Sequence, residues 1–233
     1  MLPRGSPPSF VFLLTLVATT VPQVQAQSSS SASAEHVRKP APATDSQLGA
    51  GAVSQGVYRN KALELSCKIP PGWVLRTDEM NARNDEGTKE ESPTASDSIK
   101  TGRVLLAAFS RPPDARAEDV NSSILIAAES MAAYPGLKEA AQYFGPVSEV
   151  AKAQGFEVAN EPYEFMLGTK IAGLKSLVRA DFQKSVGTRV MRQSTLVMLA
   201  RGYAVSFTFI GGTEDEVEEL VHGLSFGAPR TTR

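Results

Sequence analysis

The sequence predicts an α+β domain, an antiparallel β-sheet covered by helices in an α/β/α sandwich. Three stretches carry that expectation. In the run Leu63, Leu65, Cys67, Ile69 the apolar side chains alternate with Glu64, Ser66 and Lys68, the period of a half-buried strand. Arg189–Ala200 and Tyr203–Ile210 are apolar runs parted only by Arg201-Gly202, which is hairpin spacing. Thr213-Glu214-Asp215-Glu216 is a capping box, and Val217, Leu220, Val221 and Leu224 after it form one helical stripe. Strands, a helix, antiparallel strands and a closing helix, in that order, give a layered α+β core.

The N-terminus reads as an export signal. Arg4 precedes the short apolar run Phe10–Val17, and Val24-Gln25-Ala26 offers small residues to a signal peptidase, with the cut after Ala26. The run is far shorter than the roughly 20 residues a membrane-spanning helix needs. The expected location is therefore secreted or periplasmic. Residues 27–55 are rich in Ser, Ala, Pro and Gly with no apolar periodicity, so they read as a disordered tether. The folded domain is expected over 56–227, with a tail at 228–233.

Within the domain, Pro70-Pro71-Gly72 ends the first strand, because proline supplies no ladder donor, and Trp73 follows to fold back on the core. Residues 78–100 hold seven acidic and three basic side chains and read as a mobile acidic loop. Asp85, Glu86, Glu90 and Glu91 are its candidate partner contacts. Arg103–Ser110 and Ser122–Met131 read as buried strands. Pro135–Gln154 is helical, with Leu137, Ala140, Ala141, Phe144, Val147 and Ala151 on one face and a break near Gly145 that lets Pro146 open a second piece. Glu164–Gly168 and Lys175–Gln183 are short strands. Tyr203, Val205, Phe207 and Phe209 make one face of the later hairpin aromatic. His222 lies off the helical stripe and is expected to be exposed. Asn121-Ser122-Ser123 is a glycosylation sequon in a eukaryotic secretory pathway.

The composition narrows the function. The chain has 233 residues, 42% hydrophobic and 21% charged, which suits one domain with a real core. A net charge of −1 gives no electrostatic case for nucleic acid. Cys67 is the sole cysteine, so no internal disulfide forms. It sits on the apolar side of its strand with no basic cluster beside it in sequence, so it reads as a core thiol, not a nucleophile. His36 and His222 are the two histidines, too few for a histidine-based triad or a His-rich metal site. Glu129, among apolar residues, is expected at a strand edge or paired with Arg103 or Arg179. Gly211-Gly212 lacks the lysine and spacing of a phosphate loop. No cofactor or metal is expected.

Tyr58-Arg59-Asn60, the strand Leu63–Ile69, Pro71-Gly72-Trp73 and the closing capped helix after a hairpin resemble the PsbP-like superfamily over roughly residues 56–227. That group holds the photosystem II protein PsbP, a Ran-binding nuclear import factor and secreted bacterial members. The resemblance implies binding or assembly rather than catalysis. The first expectation is thus a monomeric, non-enzymatic binding module with a protein partner. Two alternatives remain. One is a carrier of a small apolar ligand in a cavity lined by Phe207 and Phe209. The other is a hydrolase using a carboxylate pair drawn from Glu129, Glu161, Glu164 and Asp181.

Overall fold

The computed structural model describes residues 48–87, 102–112, 119–169 and 173–227. The chain forms β1 (Ala52–Ser54), β2 (Val57–Asn60), β3 (Leu65–Lys68), β4 (Val74–Leu75), α1 (Thr77–Gly87), β5 (Gly102–Phe109) and β6 (Ser123–Ser130). It continues with α2 (Phe144–Ala153), β7 (Glu157–Thr169), β8 (Gly173–Val186), β9 (Arg189–Ala200), β10 (Tyr203–Gly211), α3 (Glu214–His222) and β11 (Leu224–Phe226). A long sheet has the order β4-β5-β6-β10-β9-β8-β7, and a short one the order β1-β2-β3-β11. Every pairing is antiparallel.

The predicted α+β class stands; its layering is richer than one sheet between helices. One face of the long sheet, with Leu106, Ile126, Leu196, Phe207 and Phe209, packs on Tyr58, Leu65, Cys67 and Phe226 of the short sheet and on Val217, Leu220 and Val221 of α3. Its other face, with Ala180, Phe182, Val197 and Ala204, is covered by Tyr143, Phe144 and Ala151, from a 3₁₀ turn and α2. A third cluster, Val104, Ala107 and Phe109, lies against Met80 of α1.

The turns follow their residues. Arg201 (φ 53) and Gly202 (φ 81) both take the left-handed conformation that a two-residue hairpin of matching twist demands. At Pro70-Pro71-Gly72 the Trp73 amide donates to the Pro70 carbonyl and Gly72 has φ 82, a type II turn. The 3₁₀ turn Ala140–Tyr143 runs into α2, so the predicted break falls at Tyr143, two residues before Gly145. Pro146 then sits in the first turn of α2, where a missing amide proton does little harm.

Four expectations are corrected. Residues 48–55, expected in the tether, belong with the folded body: Leu48 is 6% exposed and lies in the main core. The Asn60 amide donates to the carbonyls of Leu48 (3.0 Å) and Gly49 (3.2 Å), and the Tyr58 hydroxyl donates to that of Ala50 (3.1 Å). Side chains downstream order a stretch that has no periodicity of its own. Residues 78–87, placed in the acidic loop, belong to helix α1 (Thr77–Gly87). Leu224–Phe226 is a strand rather than the end of the helix. A Cβ at Gly223 would lie 3.0 Å from the Leu220 carbonyl and 3.4 Å from that of Lys68, so glycine lets the chain turn onto β3 there. Finally, β7 runs for 13 residues, far past Glu164–Gly168. Pro162 and two bulges hid its first half, because they break the alternation. Residues 1–47, 88–100 and 228–233 lie outside the described residues, and with them the signal segment, most of the tether, Glu90, Glu91 and the tail.

Candidate functional site

On β8, Arg179 and Asp181 are two apart and share a face, the one turned toward α3. Arg179 is 6% exposed. Its Nε donates to Asp181 Oδ1 at 2.8 Å, its Nη2 donates to Glu218 of α3, and its guanidinium lies 5.2 Å from the centre of the Phe165 ring. Asp181 Oδ2 also accepts from Asn160 Nδ2 (3.1 Å) and the Tyr163 hydroxyl (3.2 Å), both on β7. Burial works to lower the Arg179 pKa, but the hydrogen bonds to Glu218 and Asp181 outweigh it and raise it. The Tyr163 hydroxyl is pushed up to about 12, first by burial and then by the Asp181 charge. Above this network opens a cleft of about 180 Å³, walled by Asn160, Asp181, Arg192, Glu214 and Glu218 with Arg179 behind them. Its carboxylates outnumber its cations.

A second, wider cleft of about 510 Å³ lies at the N-terminus of α3, beside Ser110, Ser122, Arg189 and Thr213. Glu216 already fills that helix end. Its Oε2 accepts from the Gly212 amide at 2.8 Å and its Oε1 from the Ser122 hydroxyl, while its own amide donates to Thr213 Oγ1. Half of the predicted capping box is present: Thr213 caps the helix, but Glu216 reaches back to the Gly212 amide rather than to that of Thr213. An acid in this place leaves no room for an anion.

The other predicted residues scatter. Glu129 lies on the opposite face of the long sheet from Asp181, and it accepts hydrogen bonds from Tyr134 and Tyr143. Both hydroxyls are raised, by burial first and by Glu129 second. Arg179, one of the expected partners of Glu129, belongs to Asp181 and Glu218 instead. Glu161 and Glu164 are exposed on β7. Asp85 and Glu86 lie in α1, with side chains beyond the described ones. Cys67 is fully buried, and burial pushes its thiol up to about 12. Phe207 and Phe209 are equally buried and border neither cleft; Phe207 meets Phe226 edge-on at 5.9 Å. His222 is exposed and bonded to the Glu218 carbonyl. The sequon residue Asn121 has both ends of its amide engaged: Oδ1 accepts from Ser110 and the Arg111 amide, and Nδ2 donates to the Arg111 carbonyl. The strand period could have paired Arg179 with Asp181. Nothing local announced Glu218, 39 residues later.

No protein-family model matches the sequence, and no curated protein matches it significantly. The solved structures similar to it include three at 16% identity each. Cyanobacterial PsbP (CyanoP) from Synechocystis sp. PCC 6803 has a TM-score of 0.41, over 76% of this chain and 96% of that one. LpqN, involved in cell envelope biogenesis of Mycobacterium tuberculosis, has 0.34, over 68% and 76%. PA94 of Pseudomonas aeruginosa, of unknown function, has 0.31, over 48% and 72%. At these scores none of them bears on what this chain does. No helix among the described residues is long and apolar enough to cross a membrane.

Proposed function

We propose that this protein is a non-enzymatic binding module of the PsbP-like superfamily. It is exported on the signal segment, cut after Ala26, and held out on residues 27–47 to meet a protein partner. One observation carries the reading: among the described residues, the buried groups suited to chemistry are each bonded to a neighbour and lie on opposite sides of one sheet, while Glu161 and Glu164 stand exposed on β7. Asp181 and Glu218 share Arg179, Glu129 takes tyrosine hydroxyls on the far face, and the Cys67 thiol is sealed. Acid–base hydrolysis needs two free carboxyls facing one bond. The motif residues Tyr58 and Asn60 support the reading too, since they fasten the start of the domain. Asp85, Glu86, Glu90 and Glu91 are its proposed contacts.

The test uses the mature chain, from Gln27, as bait in its native envelope or secretome, beside a variant lacking residues 88–100, which spares α1. A partner retained by the full chain and weakened by the deletion is expected. A hydrolytic activity abolished by Asp181→Asn in a folded protein would overturn the reading.

A further inference from the structure

A sheet edge offers unpaired amides and carbonyls to any extended chain, so proteins cover, shorten, bulge or charge their edges. Here β1 is only three residues long. The β5 edge is occupied by β4 and then by side chains of α1. The first half of β7 is broken by register shifts up to Tyr163, with Pro162 among them. Tyr163–Leu167 is the exception. It pairs residue for residue with β8 on one side, and among the described residues no strand pairs with it on the other. It holds no proline, lysine or bulge, and Tyr163 (39%) and Met166 (52%) are exposed.

We propose that Tyr163–Leu167 is a docking strand, which takes an extended partner segment of alternating apolar and basic residues as an eighth strand. This rests on the binding-module reading and names the kind of partner. Alternation on β7 sets the chemistry. Tyr163, Phe165 and Leu167 point to the main core and offer an apolar rim to one side of the guest. Glu164 and Met166 point to the other face, where Glu164 meets the second side. Glu161 and Glu164 are exposed without an ion-pair partner among the described residues. Backbone ladders supply affinity in such complexes, and alternate side chains supply selectivity.

The test titrates the ¹⁵N-labelled mature chain with a capped seven-residue peptide of alternating valine and lysine. A second peptide carries glutamate in place of lysine. Amide shifts centred on Tyr163–Leu167 are expected with the basic peptide only. Glu164→Lys should weaken that binding at least tenfold and transfer preference to the acidic peptide, a reversal that mere loss of structure would not produce. Shifts confined to α3, or no binding, would overturn the proposal. So would a wild-type dimer that Met166→Lys turns into a monomer, since the edge would then belong to a second copy. A native partner held equally by wild type and by the Glu164→Lys, Met166→Lys double variant would sink the docking strand and leave the binding module standing. Hydrolytic turnover lost in Asp181→Asn would instead sink the module.

Discussion

The two edges of the long sheet solve the same problem in different ways. At the β5 end the chain builds a stand-in for a strand. The Arg76 amide donates to the Ala107 carbonyl, and the Ala107 amide donates to Thr77 Oγ1. One bulge later, Asn81 Oδ1 accepts from the Val104 amide while its Nδ2 donates to the Val104 carbonyl, each at 2.9 Å. The bulge between Val104 and Leu106 shifts the outward phase from odd to even residues, and brings Val104 rather than Leu105 to the helix. At the β7 end the outer pair of strands is braced from beneath, by Arg179 reaching α3, and among the described residues no strand pairs with its outer side. One edge is closed by hydrogen bonds, and the other is stiffened with no further described strand beside it. The proposed docking strand would use that difference.

The largest test of this contrast is Arg179→Ala, which leaves Asp181 and Glu218 without their cation. Breaking such a buried pair should cost about 3 kcal/mol. Urea unfolding followed by the lone Trp73 would read it, and hydrogen exchange should rise first in β7 and β8. Asn81→Ala strips both edge groups of Val104 of their partners and should cost about 2 kcal/mol. Exchange should then rise at Val104 and leave β7 unchanged. If both variants loosen both edges equally, the contrast fails.

The buried thiol of Cys67 gives a reference that belongs to neither edge. In Asn81→Ala its alkylation should speed up roughly 30-fold if it is reached only through global unfolding. Its folded pKa, about 12, lies above the ordinary 9.0, so the folded state holds the proton more tightly. Its share of stability is therefore complete below pH 9 and is lost as pH climbs toward 12. Urea midpoints measured from pH 7 to 11 should fall above pH 9, and fall less in Cys67→Ala. The smallest effect is expected of Pro162→Val. Stability should change by no more than about 0.5 kcal/mol, while the longer bare run should bind the basic peptide more tightly.

How far the sequence could be read follows the same physics. The closing helix, the Arg201-Gly202 hairpin and the burial of Cys67 were legible, because a cap, a turn and a period of two are local signals. Helix α1 was not. Its residues are polar nearly all round, and the helix is held by Thr77 and Asn81 reaching a strand whose sequence lies more than twenty residues away. The site was legible in pieces. Asp181 stood among the candidate carboxylates and Arg179 among the candidate cations, and the β period places them on one face. Glu218 joined them only through the packing of α3 on the sheet. Glu129 was expected at a strand edge or beside an arginine, but it meets two tyrosines from the ends of separate 3₁₀ turns, Met131–Ala133 and Ala140–Tyr143.

Leu48 has a practical consequence for where the molecule can be cut. It plugs the main core from the N-terminal side, with Asn60 gripping its carbonyl. A cut that leaves Leu48 in place, by a protease in the envelope or by a cloning boundary, should keep this plug. Trimming a few residues further in would pull the stopper and let water into the space around Tyr58.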